Sequence, residues 1–417
     1  MDGKTANKTA EQIRTPATGE GDEQRTATSR LLLLAVSTRL VTDTGLQLFN
    51  PFLPIFAEGL GVSIVTMGRL VSLRTAVGIV APLFGTFADR LGYRFILRLE
   101  LLLAVAGLIL IGVSNNIWVA AAGMVVLGAG LTSFTPTLHA FLSERLPWNR
   151  RGRGLAIVEY SWALAGIAGL FLTGFVIEFA GWRAPFFILA AGLAIAWVVF
   201  GRLRGAGRAA DYAPRARQAW RQVIRNFFDL GANARSAWSN MLLSGFIGFA
   251  GINIFIVHGA WLNRDYGLRT TQLGTVALLL GVADLAGSGL ASLIIDRVGK
   301  RRSVLLGAGS ALLTFLILPQ FDVSAALVIG GLALSRFAFE FSIVSNITLL
   351  SEQVPAQRGK VLSQGAMVML AGFSLGSLVG PWLFERFGVA PWSWASAASM
   401  AAVLLLLLLT VREPQGD

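Results

Sequence analysis

The fold is decided by Gly85-Thr86-Phe87-Ala88-Asp89-Arg90-Leu91-Gly92-Tyr93-Arg94, ten residues that join two long apolar runs. A degenerate copy, Asp296-Arg297-Val298-Gly299-Lys300-Arg301-Arg302, joins two other apolar runs, and its aspartate follows the first by 207 residues (296 − 89). A second pattern, Ser-Glu-x-x-Pro, occurs at 143–147 and at 351–355, an offset of 208 (351 − 143). Two unrelated patterns with nearly the same offset indicate the duplication of a whole membrane domain.

The composition places the chain in a lipid bilayer. It is 54% hydrophobic and 14% charged, with a mean hydropathy of +0.65, whereas soluble domains carry about 25% charged residues. The chain has no cysteine and two histidines, so neither disulfides nor thiolate or histidine-rich metal centres are expected. We therefore predict no metal and no cofactor.

The apolar runs predict an all-α polytopic membrane protein, because each is about 20 residues long or longer. Twelve transmembrane helices are predicted, as two pseudo-symmetric six-helix bundles. The predicted spans are 31–57, 64–87, 95–114, 117–142, 154–178, 184–204, 236–262, 270–294, 302–320, 324–350, 360–384 and 390–411.

The domain boundaries follow from these spans. The N-terminal bundle is expected at 30–205 and the C-terminal bundle at 236–412. Residues 1–29 are polar and predict a disordered cytoplasmic tail, and 413–417 form a second tail. Between the bundles, 206–235 is predicted as a cytoplasmic linker that contains an amphipathic helix on the inner leaflet, with a solvated basic linker as the alternative.

The net charge of +12 reports membrane topology rather than a nucleic-acid partner. The basic residues concentrate in alternate loops, around 90–98, 145–153, 202–225, 297–302 and 358–360. Basic loops face the cytoplasm, so we expect a multi-pass plasma (inner) membrane protein with both termini inside. The lipid bilayer is the expected surrounding, and a monomer the expected state.

The chain resembles the major facilitator superfamily of secondary transporters, and in pattern its bacterial drug or sugar efflux permeases. The loop motif Gly85-x-x-x-Asp89-Arg90-x-Gly92-x-Arg94, its repeat at Asp296-Arg297, and Gly181-Trp182-Arg183-Ala184-Pro185-Phe186 carry this resemblance. Two departures weaken the drug/proton antiporter assignment: Met124 stands where proton-coupled members often have arginine, and Gly169 is followed by Leu170 rather than proline.

The resemblance implies a cytoplasmic gate formed by the loop motif. Family members use these residues as a latch that closes the cytoplasmic side and breaks when that side opens. The implied gate residues are Gly85, Asp89, Arg90, Gly92, Arg94, Asp296 and Arg297. Arg90 and Arg94 are expected to pair with acids of the opposite half; in the alternative interpretation these arginines only enforce topology.

Ionisable residues inside the spans are the strongest candidates for a substrate or coupling site, because a charge at the bilayer centre costs about 2.5 to 3.5 kcal/mol on insertion scales. The six selected residues are Arg39, Asp43, Arg74, Asp284, Arg336 and Glu340. Spacing of four allows local pairing of Arg39 with Asp43 and of Arg336 with Glu340. Arg74 has no local acid, and Asp43 is its predicted partner; Asp284 either pairs with Arg336 or titrates alone.

Uncharged and end-of-span polar residues are secondary candidates. They comprise Gln47, Asn50, Glu159, Tyr160, Asn253 and Gln364. For the amides, a hydrogen bond between helices is the alternative role. His139 and His258 fall toward span ends, where an interfacial position is the alternative to a role in coupling.

These observations predict alternating access without covalent chemistry. Two bundles would rock about a midplane site and export a small organic compound in exchange for protons. A facilitative uniporter and a proton-coupled importer remain alternatives, with a non-transporting receptor or membrane enzyme more remote. An enzyme is not expected, because the sequence shows no nucleotide loop, metal-ligand cluster or nucleophile constellation.

Overall fold

The computed structural model describes residues 18–80, 91–146, 148–203 and 228–412, with side chains from residue 28 onward except at 80, 148–150 and 232. Every regular element in these ranges is a helix. The N-terminal bundle contains α1 (Thr18–Gln47 and Phe49–Leu60), α2 (Ile64–Val77), α3 (Tyr93–Gly112), α4 (Ile117–Arg145), α5 (Trp148–Leu164, a π-helical turn Ala165–Leu170, and Phe171–Ala180) and α6 (Ala184–Arg202). The C-terminal bundle contains α7 (Ala234–Phe255 and His258–Tyr266), α8 (Thr270–Val298), α9 (Lys300–Ile317), α10 (Ala325–Ser351), α11 (Arg358–Phe387) and α12 (Val389–Leu409).

The fold predicted from the apolar runs is confirmed. Among the described residues, 10 helices are long and apolar enough to cross a membrane, and 11 if the two segments of α1, bent by 57°, form one span. The remaining predicted span, 64–87, is described only as far as residue 80.

The first helix differs from its predicted extent at both ends. α1 begins at Thr18, inside the segment predicted as a disordered tail, while residues 1–17 lie outside the described chain. Starting a helix is costly, whereas adding residues to an existing helix is not. The apolar part of α1 therefore allows the helix to continue into the polar residues before it. At its other end α1 bends near Leu48, two residues ahead of Asn50-Pro51, where proline cannot donate a backbone hydrogen bond.

The duplication seen in the sequence reappears in the backbone. Gly92 precedes α3 with φ 88°, and Gly299, 207 residues later (299 − 92), precedes α9 with φ 93°. Such positive φ values favour glycine, which has no Cβ to clash. Arg94 donates to the Phe200 and Gly201 carbonyls at the end of α6. Arg301, again 207 residues later (301 − 94), donates to carbonyls at the end of α12.

The loops gather at two ends of the molecule. One end, here called the far end, carries the loops α1–α2, α3–α4, α5–α6, α7–α8, α9–α10 and α11–α12. Hydrogen bonds join loops within it, as from Arg183 to the Ser114 carbonyl and from Tyr266 to Asp322. The opposite end, called the terminal end, carries the described chain termini, where Ser236 contacts Arg412.

The two bundles meet mainly along three helix pairs, here called the seam. In α5 and α8, a Cβ placed on Gly174 would lie 2.7 Å from the Thr270 carbonyl oxygen and 3.2 Å from the Gly274 Cα. In α2 and α11, the Ser72 and Ser374 hydroxyls lie 2.9 Å apart. The Gly259 backbone of α7 packs directly on the Pro51 backbone of α1. These contacts close the far end of the molecule.

Candidate functional site

A polar stripe runs along α1 toward the interior. Arg39, Asp43, Gln47 and Asn50 are spaced by three or four residues, so they share one helix face. The first three are buried. The Gln47 amide nitrogen donates to the Trp162 carbonyl oxygen of α5 at 3.0 Å. The stripe therefore faces the other helices of the bundle and continues to the far-end segment of α1.

Four charged or titratable groups from three helices form a cluster at the start of this stripe. The Arg39 Nε donates to the Asp43 Oδ2 at 3.0 Å, which confirms the predicted local pair. The Arg39 Nη1 also lies 3.5 Å from the Glu159 Oε1 of α5, and the His139 Nε2 of α4 lies 2.8 Å from the same oxygen. The Asp43 side chain is 1% exposed, whereas that of Glu159 is 51% exposed. The cluster thus links a fully buried carboxylate to an accessible one.

The predicted pairing of Arg74 with Asp43 is wrong. Arg74 is buried in α2, and it does contact another helix, but its partners are backbone groups of α1. Its guanidinium donates to the Gly45 carbonyl at 3.2 Å and to the Leu46 carbonyl at 2.9 Å, and its Cζ lies 4.9 Å from the centre of the Phe49 ring. The bend of α1 leaves the last carbonyls of its first segment without intrahelical partners, and Arg74 satisfies two of them.

In the C-terminal bundle, Arg336 of α10 pairs across helices rather than along its own. Its Nε and Nη2 donate to the two carboxylate oxygens of Asp284 of α8, at 2.5 and 2.8 Å. This is the first of the two predicted alternatives for Asp284. Glu340 accepts a hydrogen bond from the Ser288 hydroxyl at 3.0 Å, so the local Arg336 to Glu340 pair is replaced by contacts to α8. The bidentate geometry explains the preference, since two parallel N–H···O bonds are stronger than one.

A cavity lies between the bundles next to the seam. Its polar lining comes from both halves: Gln47 and Asn50 of α1, and His258, Asp284 and Arg336 of the C-terminal bundle. Its apolar lining comes from Pro51, Gly166, Leu170, Phe255, Ala277, Leu280 and Gly281. Four of the sequence-predicted site residues therefore line one cavity.

Asn253, Gln364 and Tyr160 line neither the cavity nor the charged cluster. The Asn253 amide donates to the Trp392 carbonyl at 3.0 Å and to the Ser396 hydroxyl at 2.7 Å, so it joins α7 to α12 inside the C-terminal bundle. Gln364 is fully buried in α11. Tyr160 is 58% exposed, next to Glu159 on α5. Asn253 therefore forms a hydrogen bond between helices, which was the alternative to a role in the substrate site.

Part of the implied gate lies outside the described residues, namely Gly85, Asp89 and Arg90. The expectation that Arg94 pairs with an acid of the opposite half is wrong: it caps α6 within its own bundle. The final carbonyls of a helix carry its negative dipole end and attract a guanidinium. Asp296 and Arg297 are exposed in the last turn of α8, and Gly92 caps α3.

Sequence reasoning missed one buried acid and underestimated one histidine. Glu100 of α3 is 1% exposed, and its Oε1 accepts a hydrogen bond from the Thr137 hydroxyl of α4 at 2.9 Å. Its position inside the predicted span 95–114 is the signal that identifies it. His258 lines the central cavity instead of an interface, because the break in α7 turns this residue inward. Within the described ranges, no group of three or more histidines and acids could hold a metal ion.

Two bundles of membrane-crossing helices with a charged cavity between them are the architecture of a polytopic transport protein. The chain belongs to the Major Facilitator Superfamily, whose sequence profile matches residues 35–260 and 241–417.

Relatives and solved structures resemble the chain over nearly its whole length. An uncharacterized MFS-type transporter, YwfA of Bacillus subtilis, is 25% identical over 86% of this chain and 87% of its own. Multidrug resistance protein MdtG of Proteus mirabilis is 24% identical over 90% of this chain and 94% of its own. The crystal structure of a D-xylose-proton symporter covers 95% of this chain and 99% of its own, with 18% identity and a TM-score of 0.71, and shows the same fold.

Proposed function

We propose that this transporter exports a small organic compound in exchange for protons. In this proposal it works as a monomer in the plasma membrane with both termini in the cytoplasm, so that the terminal end is the inner end. The similarity to a multidrug resistance protein supports export. The basic loops at the terminal end support the orientation.

The observation that carries the proposal is the cluster of Arg39, Asp43, His139 and Glu159. A proton-coupled carrier needs an acid that can take up a proton from water and then lose it when its surroundings change. Glu159 is exposed enough to exchange protons, and it shares Arg39 with the buried Asp43. A proton on Glu159 would free Arg39 for Asp43 alone, and a proton on Asp43 would free Arg39 for Glu159.

The C-terminal bundle would supply the second part of the site. Arg336, Asp284 and the neighbouring Glu340 place two acids and one base beside the cavity. A bound compound that competes for either partner of the Arg336 pair would alter the charge balance of this group. Arg74 would hold the shape of α1, and Asn253 and Gln364 would support the bundle.

Closure of the seam at the far end corresponds, in this orientation, to a carrier open toward the cytoplasm. Gly85, Asp89 and Arg90, with their counterparts Asp296 and Arg297, would form the inner gate in the opposite state. The bundles at 30–205 and 236–412 would move as units, joined by the linker 206–235.

The test is proton flux in proteoliposomes that contain a pH-sensitive dye. A pH gradient is imposed, and compounds are added from a broad panel. Compound-dependent collapse of the gradient is expected for the native protein and for Glu58→Gln, which alters an exposed glutamate at the far end of α1. Asp43→Asn and Glu159→Gln are expected to reduce this flux to that of empty liposomes.

A labelled compound that crosses the membrane without proton movement would refute coupling and indicate a uniporter. Proton movement in the same direction as the compound would indicate an importer. Full proton flux in both Asp43→Asn and Glu159→Gln would exclude the cluster as the coupling site.

A further inference from the structure

His258 occupies an unusual position for a titratable side chain. It is the first residue of the second segment of α7, directly after the break at Ile256 and Val257. Its side chain is 2% exposed and lines the cavity between the bundles. The charged residues that line this cavity are Arg336 and Asp284, which neutralise each other in a bidentate pair, and Glu340 lies beside them with a hydrogen bond from Ser288.

The hydrogen bond of His258 fixes which ring nitrogen carries the proton. Its Nδ1 lies 2.5 Å from the Phe255 carbonyl oxygen. A carbonyl oxygen can only accept, so Nδ1 must donate a hydrogen. In the neutral ring the Nε2 is then an unprotonated acceptor, and it is buried without a hydrogen-bond partner. A buried acceptor left unpaired has lost its hydrogen bonds to water without replacement, and a ligand donor would supply one.

The N-terminal bundle presents a second acceptor to the same cavity. The Gln47 Nε2 donates to the Trp162 carbonyl oxygen. The Gln47 Oε1 faces the cavity near Gly166. The Asp284 oxygens, by contrast, both accept from Arg336. Each bundle therefore presents an acceptor to the cavity: the C-terminal bundle presents the His258 Nε2 and the N-terminal bundle the Gln47 Oε1.

We propose that this cavity binds compounds through their N–H or O–H groups, with the His258 Nε2 and the Gln47 Oε1 as the accepting atoms. The favoured ligands are amines and hydroxyl compounds with at least two donors or one ammonium group. Permethylated cations and anions without donors are excluded. The inference rests on the proposed function in one respect: the ligand of the cavity is the exported compound.

The test is nitrogen NMR of the full chain in nanodiscs with ¹⁵N-labelled histidine, at a pH that keeps the rings neutral. With two histidines in the sequence, His139→Gln assigns the His258 resonances. The probes are 1-naphthylmethylamine and its N,N,N-trimethyl counterpart. We expect a protonated Nδ1 and an unprotonated Nε2, and an Nε2 resonance that moves with the amine and not with the trimethyl compound.

Variants extend the test to the second acceptor. Gln47→Leu should weaken binding of the amine, measured by titration of the Nε2 shift, by about tenfold, which corresponds to about 1.4 kcal/mol. Gln320→Leu makes the same change at an exposed residue after α9 and should leave the affinity unchanged.

The inference is overturned by a protonated Nε2, by equal shifts with both probes, or by no shift with the amine. Proton flux does not enter these measurements. A chain that binds the amine at His258 but moves no protons would refute the proposed function and leave this inference standing.

Discussion

At the bend of α1, one buried arginine replaces missing backbone partners. The two bonds from Arg74 hold the Gly45 and Leu46 carbonyls at the end of the first α1 segment. Only a guanidinium has several donors in a rigid plane, so one side chain can reach both oxygens. The bend orients Asn50 and Pro51 toward the cavity and the seam, so the shape of the site depends on a residue that does not line it.

Arg74→Ala should lower the free energy of unfolding by about 3 kcal/mol, because two buried charge-assisted hydrogen bonds are lost and two carbonyls are left unpaired. Arg74→Lys should recover part of this loss, since an ammonium is a single point donor. The measurement is thermal unfolding in detergent. Arg69→Ala, at an exposed arginine on the same helix, is the control and should behave as the native protein. Equal unfolding temperatures for Arg74→Ala and Arg69→Ala would contradict this role.

The sequence predicted the helices better than the contacts between them, and Arg74 shows why. In lipid, core-facing and lipid-facing residues are both apolar, so hydropathy places a span but not its rotation. The local pair of Arg39 with Asp43 was predictable from a spacing of four residues. The backbone acceptors of Arg74 appear only when α1 bends, and the cavity position of His258 only when α7 breaks.

At the scale of elements, α5 and α8 approach each other through glycine. Gly174 and Gly274 face each other closely enough that a Cβ on either would lie 3.2 Å from the Cα of the other. Close by, Thr270, the first residue of α8, donates its hydroxyl hydrogen to the carboxylate of Glu178 in α5. The carboxylate therefore lies next to the N-terminus of α8. A negative group is favoured at a helix N-terminus, so this bond supports closure.

Gly174→Leu should open the far end, because its side chain would overlap the Thr270 carbonyl. The native chain lacks cysteine, so a single Asn50→Cys reports access to the cavity. We expect faster labelling by a membrane-impermeant maleimide added at the far end in Gly174→Leu than in the parent Asn50→Cys chain. Gly330→Leu, in a helical glycine with open space around it, is the matched control. Unchanged labelling in Gly174→Leu would mean that this contact does not hold the far end closed.

At the scale of the whole molecule, the two bundles repeat each other in detail. The pairs Gly92 with Gly299 and Arg94 with Arg301 perform the same local tasks at equivalent helix starts. Both pairs are 207 residues apart (299 − 92 and 301 − 94), so the sequence duplication extends to backbone conformation and helix capping. The bundles differ in their buried charged groups. In the N-terminal bundle Arg39 contacts two acids, Asp43 and Glu159, whereas in the C-terminal bundle Arg336 pairs with Asp284.

The proposed orientation predicts which loops face outward. Val323→Cys, at a residue 76% exposed in the far-end loop α9–α10, should react with an impermeant maleimide in intact cells. Arg302→Cys, exposed at the terminal-end start of α9, should react only after the membrane is permeabilised. The reverse pattern would place the chain termini outside the cell.

The glycine contacts of the seam also bear on the speed of transport. Backbone surfaces that touch without interlocking side chains can separate without any change of rotamer, and few hydrogen bonds must break as they part. The barrier to separating such surfaces is therefore low. A carrier whose halves meet in this way is suited to rapid turnover, since opening of the far end does not wait for side chains to rearrange.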